Sequence, residues 1–270
     1  MGWSLDEIPW TRFDRAAVDA ELVPIVKAAG LVEYNGAAYA GHLCRVFAGN
    51  PEFQARAREW GDDEIRHGQA LARWAALADP DFDFTAAFAR FRAGYRIDFD
   101  RDRSRRGSRA GEMVARCIVE TGTSAYYSAL RDAAGEPVLR EVCRRIAADE
   151  IRHYKLFCNT LGECLAAEPF PWWRRLVVAL ARLGEAADDE LAYAYWAAND
   201  FDRPYDRRRC RRAYARRAFA LYRRPHVEHG MRMIFKAAGL AANSRIARAA
   251  GHLAWIVMHR HAARLARTAA

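Results

Sequence analysis

Apolar residues recur at three- and four-residue spacing along most of the chain, and no stretch alternates convincingly with period two, so the pattern predicts an all-α protein. Leu22, Val26, Ala29, Ala37, Ala40, Cys44 and Phe47 make the apolar stripe of a first helix, expected from about Pro24 to Phe47. Gly49-Asn50-Pro51 ends it and starts the next, since Asn50 can cap and Pro51 suits a first helical position. The second helix is expected to reach Ala78, with Phe53, Ala57, Trp60, Glu64, His67, Leu71 and Trp74 on one face, and Asp79-Pro80 stops it. A short helix near Phe84–Tyr95 and a polar arm, Asp98–Arg109, too charged to pack, form a crossover. A third helix spans about Ala110–Ala134 and stops at Gly135; Glu136-Pro137 opens a fourth that runs to about Ala167. Two short turns and one long connection describe two antiparallel hairpins joined by a crossover.

Before these helices, Pro9 and the Trp3/Trp10 pair suggest an irregular lead-in that packs by its aromatics. After Pro169–Pro171 the pattern changes. Trp172–Asn199, Asp206–Arg224, His226–Leu240 and Ser244–Arg267 each read as helices, separated by Pro204, Pro225 and Gly239. The expected organisation is a helical bundle with its lead-in at 1–168, and a helical extension at 169–270 packed on its outside. Charge marks the same boundary. Residues 169–270 carry 20 Lys/Arg against 8 Asp/Glu, a net +12, whereas the preceding part is slightly acidic at −3. Such a basic surface either faces something anionic or simply solvates an arginine-rich set of helices.

Composition, 52% apolar and 29% charged, is that of a soluble globular protein. No apolar run reaches the roughly 18–20 residues of a membrane span. The start, Met-Gly-Trp-Ser-Leu-Asp-Glu, has neither a basic n-region nor an apolar h-region, so a cytoplasmic location is expected. The six cysteines form no Cys-x-x-Cys pair, which favours reduced thiols and excludes a rubredoxin-type iron site within the chain.

The chemistry is concentrated in a pentapeptide that occurs twice, Asp-Glu-Ile-Arg-His at Asp63–His67 and at Asp149–His153. In each copy Glu and His are three residues apart and share one helix face. A di-metal carboxylate bundle needs a Glu-x-x-His from each of two helices and a single Glu from each of the other two. Depth along the helices selects those single glutamates. Glu64 lies 13 residues after Pro51, about 20 Å down its helix. Glu33, 16 residues before Gly49, is the acidic residue of the first helix at matching depth. In the second hairpin Glu150 lies 13 residues after Pro137 and Glu120 lies 15 before Gly135; the same rule disfavours Glu59 and Glu112. Both single glutamates sit in apolar stretches, where an ionised carboxylate is costly unless a cation meets it. Glu33, Glu64, His67, Glu120, Glu150 and His153 are therefore the expected metal ligands. Four carboxylates and two imidazoles suit iron or manganese better than structural zinc. Asp63 and Asp149 are candidates to orient the histidine of the opposite motif. Arg66 and Arg152 are expected to bridge to carboxylates or neighbouring loops.

On these residues the stretch Leu22–Leu165 resembles the ferritin-like di-iron carboxylate superfamily, in which a Glu, a Glu-x-x-His, a Glu and a Glu-x-x-His recur in this order. The doubled Asp-Glu-x-Arg-His form is similar to that of di-iron oxidases, oxygenases and rubrerythrins, whereas storage ferritins do not carry both Glu-x-x-His copies. The resemblance implies a ferritin-like four-helix bundle and two Fe ions, or a Mn/Fe pair. It also implies that Glu64 and Glu150 bridge the metals, that Glu33 and Glu120 are terminal, and that each histidine binds one metal. It further implies an oxidoreductase that uses O2 or peroxide on an organic, hydrophobic substrate, with electrons from an external donor. Alternatives are a rubrerythrin-like peroxidase, a tRNA-modifying di-iron hydroxylase, and an iron-binding protein without turnover. The basic C-terminal half would suit RNA, but no clustered Lys/Arg–aromatic surface accompanies it.

Small residues flank two of the ligands: Gly36, Ala37 and Ala40 near Glu33, and Gly122, Thr123 and Ser124 after Glu120. They leave room for O2 and substrate or else only allow close helix packing. Ser124 and Tyr127 are the candidate catalytic residues, a hydroxyl one turn after Glu120 and a phenol on the ligand face; the alternative for Tyr127 is a core residue with a satisfied hydroxyl. His226-Val-Glu-His229 lacks partner acids and is expected at the surface. The last helix is basic and amphipathic. Docking on the bundle is its default role, and contact with a membrane surface or an acidic carrier is the alternative.

Overall fold

The computed structural model describes residues 2–95, 104–185 and 189–267. Among these the chain is helical, without strands. The helices are α1 (Val23–Tyr34), α2 (Gly36–Val46), α3 (Pro51–Ala78), α4 (Phe84–Gly94), α5 (Arg109–Ala133), α6 (Pro137–Ala167), α7 (Trp172–Glu185), α8 (Asp189–Asn199), α9 (Arg207–Leu221), α10 (Arg224–Ala237) and α11 (Arg245–Arg267). The starts of the long helices carry side-chain caps for amides that lack an intrahelical partner. Asn50 accepts from the Phe53 amide at 3.0 Å, and Ser108 accepts from the Gly111 amide at 3.0 Å. Pro51 and Pro137 occupy first positions, where no amide is missed.

α1 and α2 lie along α3, α5 lies along α6, and α3 packs against α6. Along these helices the buried apolar residues form two clusters separated by a polar layer. One cluster joins Ile25, Trp74, Leu130 and Val142. The other joins Leu43, Trp60, Met113 and Phe157. Each large side chain buried in these clusters contributes about 1.5–3 kcal/mol. A third cluster packs α8 and α9 on α1 and α4 around Leu31, Phe91 and Cys210. α7 and α10 lie on α5, and α11 lies on α10 and α9. The lead-in Leu5–Arg12 makes short 3-10 turns against α3 and α6.

The helix expected over Pro24–Phe47 is broken at one residue. Asn35 leaves the helical backbone (φ −80°, ψ 8°), and its amide bonds the Val32 carbonyl three residues back. The Arg92 guanidinium, 2.7 Å from Asn35 Oδ1, holds this turn from α4. The break seats Gly36 on α3, where a Cβ would lie 2.5 Å from the Glu64 Cβ. The single helix expected over Trp172–Asn199 is described as α7 and α8, with acidic residues in the first turn of α8. Of the polar arm expected at Asp98–Arg109, residues 98–103 lie outside the described residues. No described helix is long and apolar enough to cross a membrane. All six cysteines are free thiols.

Candidate metal centre

The polar layer is where the two pentapeptides meet. Glu64 and His67 sit mid-way along α3, between the Trp60 and Leu71 ends of the apolar clusters, and Glu150 and His153 sit likewise on α6. Glu33 enters from the last turn of α1 and Glu120 from the middle of α5. All six side chains are buried. Their ligand atoms form two groups, Glu33–Glu64–His67–Glu150 and Glu64–Glu120–Glu150–His153, within each of which the atoms lie no more than 4.8 Å apart. Glu64 and Glu150 belong to both. Each group could hold a metal ion.

The six residues also share a deficiency. Glu33 Oε2, Glu64 Oε1, His67 Nδ1, Glu120 Oε1, Glu150 Oε1 and His153 Nδ1 are all buried without a hydrogen-bond partner. The histidine contacts among them, 3.1 Å for His153 Nδ1–Glu64 Oε1 and 3.3 Å for His67 Nδ1–Glu150 Oε1, are ionic contacts that lack hydrogen-bond alignment. An unpaired buried polar atom costs about 1–3 kcal/mol. Six such atoms aimed at one another fit divalent cations, which a hydrogen bond network would not require.

The other faces of these side chains are satisfied. His67 Nε2 lies 3.0 Å from Asp149 Oδ2, and His153 Nε2 lies 3.1 Å from Asp63 Oδ2, so the aspartate of each pentapeptide holds the histidine of the other. This crossed pairing makes Nε2 the N–H side and leaves Nδ1 as the ligand atom. The two arginines bridge the two aspartates: Arg152 is 2.5 Å from Asp149 and 3.5 Å from Asp63, while Arg66 bonds Asp63 and lies 3.9 Å from Asp149. Trp3 donates its indole N–H to Asp149 at 2.9 Å and stacks on the His67 ring, closing the layer with the lead-in. The Tyr127 hydroxyl donates to Glu33 at 2.6 Å. Ser124 donates to the Thr121 carbonyl of its own helix at 3.0 Å, and it is Thr123 whose hydroxyl donates to Glu150.

Of the small flanking residues, Gly36 and Ala40 pack towards α3, whereas Ala37 and Gly122 are exposed. Glu112 is buried away from the site and accepts from Ser104 at 2.6 Å. The surface placement expected for His226 is wrong. His229 is exposed, but His226 is buried, accepting the Arg223 amide at 3.1 Å and lying 2.9 Å from Asp132, because it serves as a helix-start cap.

Without metal the site holds itself together with protons. Burial, together with the charges of Glu150 and Glu33, raises the pKa of Glu64 well above the carboxylate range, and burial pushes Glu120 up to about 8. Burial alone would lower the histidine pKa values, but the hydrogen bond to Asp149 and the carboxylates beside His67 raise it well above 6.5, and Asp63 and its neighbours do the same for His153. Burial works against ionised Asp63, Asp149 and Glu150 as well, yet histidine and arginine partners keep both aspartates below their usual values, and the two histidines with Glu120 do so for Glu150. The retained protons must leave when a cation binds. Metal uptake at pH 7 is therefore expected to release up to about four protons per chain, from Glu64, Glu120, His67 and His153. Titration of the metal-free protein with Mn2+ in weakly buffered solution, read by a pH indicator, checks this, and affinity is expected to rise steeply between pH 6 and pH 8. Asp149→Asn removes the charge that fixes His67 and is expected to weaken metal binding by roughly 10–100-fold without loss of helicity, measured by competition with a chromogenic chelator.

No protein-family model matches the chain, and no curated protein does.

Proposed function

We propose that this protein is a di-iron carboxylate oxidoreductase of the ferritin-like type, which uses O2 to oxidise an organic, hydrophobic substrate with electrons from an external donor. The observation that carries the reading is the convergence of six buried side chains from α1, α3, α5 and α6, each with one atom left unpaired towards the others. In this reading α1/α2, α3, α5 and α6 are the four-helix bundle. Glu64 and Glu150, common to both groups, would serve both irons, and Glu33 with His67, and Glu120 with His153, would complete the two ligand sets.

The paired irons would supply the multi-electron chemistry that O2 reduction requires. The protein's own residues prepare for it. The apolar clusters on both sides of the polar layer exclude water and strengthen every charge interaction inside it. Asp63 and Asp149 fix both histidines with Nδ1 inward. The Thr123 hydroxyl anchors Glu150, the carboxylate common to both groups, in one orientation. The Tyr127 hydroxyl, on Glu33, holds a proton at the edge of the site. Trp3, half-buried and bonded to Asp149, joins the protein surface to His67 through two hydrogen bonds and supports electron delivery from an outside partner.

The test is O2 uptake by protein loaded anaerobically with Fe2+. A burst that saturates at about two irons per chain is the expected result. Uptake that continues in proportion to added iron, up to many ions per chain, would identify a storage protein. No uptake above that of free Fe2+ in buffer would overturn oxygen activation altogether.

A further inference from the structure

α7 carries a face that nothing among the described residues covers. Trp172, Trp173, Val177, Leu180 and Leu183 are each between 39% and 59% exposed. They fall within an arc of about 140° of the helix, and Ala179, at the edge of that arc, is fully buried in the cluster against α5. Five large apolar side chains within twelve residues form a contiguous patch, in contrast to the scattered exposed residues normal on soluble proteins.

The residues around the patch limit what can cover it. Arg174 is exposed beside it, Arg175 and Arg182 are half-buried on the same helix, and Glu185 is the acid at its end. Trp173, Arg174 and Val177 also line a groove of about 460 Å³, together with Arg106 and Ser108. The whole stretch 169–270 has a net charge of +12. A second copy of this chain would bring the same charge against it, so self-association on this face is opposed by repulsion. Tryptophans at the head of an amphipathic helix, leucine and valine along its face and arginines at its margins are the chemistry of a helix lying in a lipid interface.

We propose that α7 docks this protein on anionic membrane surfaces, with Trp172, Trp173, Val177, Leu180 and Leu183 inserted among the acyl chains and the flanking arginines at the headgroup phosphates. The helix lies in the plane of the interface, at most about 10 Å deep, and does not span the bilayer. This inference rests on the exposed face and its charge, and does not depend on the metal centre.

Flotation of the full-length protein with vesicles tests it. Vesicles of phosphatidylcholine with roughly one-third phosphatidylglycerol are expected to carry the protein at low salt, and pure phosphatidylcholine vesicles much less. Salt at about 0.5 M is expected to reduce the bound fraction by screening the arginines. Trp172→Ala with Trp173→Ala, and separately Leu180→Glu, are expected to lower vesicle partitioning about tenfold or more. Both variants change exposed positions, so circular dichroism and melting temperature should match the wild type. Absence of wild-type flotation on anionic vesicles would overturn the proposal, as would equal flotation of wild type and variants. It would likewise be overturned by light scattering that shows a lipid-free wild-type oligomer which the Trp172→Ala, Trp173→Ala variant no longer forms.

Discussion

Glu120→Ala combined with Glu150→Ala is expected to abolish stoichiometric metal binding while leaving the helices folded. Glu150 belongs to both ligand groups, so its loss leaves one group with Glu33, Glu64 and His67 and reduces the other, already without Glu120, to Glu64 and His153. Two neutral methyl groups replace two carboxylates, and the site loses about half of the negative charge that would balance two divalent cations. The metal-free fold has less to lose. Glu120 is protonated at neutral pH, with its pKa pushed up to about 8, so its removal deletes no strong ion pair. His67 and His153 keep their aspartate partners at 3.0 and 3.1 Å. The contrast is therefore between two irons per chain in the wild type after reconstitution and almost none in the variant, measured by elemental analysis. Thermal melts provide a second reading. Free metal at a hundred times Kd stabilises the wild type by roughly 2.7 kcal/mol per site, and should leave the variant's melting temperature unchanged. A wild type that retains no transition metal would sink the oxidoreductase reading and leave a helical scaffold with a protonated ionic core.

The residues that converge were legible because the signal was repeated and had a depth. A duplicated pentapeptide fixes two helix faces, and the rise per residue then points to Glu33 and Glu120. The parts that were not legible depend on contacts without a local pattern. Trp3 reaches Asp149 across 146 residues, and a lone tryptophan in an irregular lead-in carries no spacing to match. Thr123 rather than Ser124 faces Glu150 because three residues, not four, align a hydroxyl with the neighbouring helix here; periodicity allows both. The turn at Asn35 was hidden because helical periodicity continues on both sides of it. Its cause, Arg92 holding the side chain from α4, is tertiary. His226 was misplaced for a related reason: polarity suggests exposure, but a cap bonded to Asp132 can be buried.

Glu136→Ala is expected to be the most destabilising single substitution away from the metal centre. Glu136 is almost wholly buried at the start of α6, and its carboxylate accepts four N–H donors. The amides of Val138 and Leu139 lie at 3.1 and 2.7 Å, the Asp14 amide at 3.2 Å and the Trp74 indole at 2.7 Å. One side chain thereby caps a 31-residue helix, anchors the fully buried Trp74 of α3 and fastens the lead-in. A negative charge at a helix N-terminus is also favoured by the helix dipole. Truncation strands three buried donors at a cost of about 1–3 kcal/mol each, partly offset where water can enter, and frees the amide of the exposed Asp14 to water. A net loss of roughly 3–5 kcal/mol follows, a fall on the order of 10 °C in melting temperature. Glu136→Gln keeps one acceptor oxygen but turns an NH2 group towards two of the donors, so an intermediate loss is expected. Urea unfolding followed by circular dichroism measures both. A loss below about 1 kcal/mol for Glu136→Ala would show that the four bonds are replaceable by water. Metal content separates this effect from the site itself: Glu136 lies 14 residues before Glu150, about 21 Å along the helix. The folded variant should therefore bind metal like the wild type, since α6 is held at this end by a carboxylate that never meets the cations.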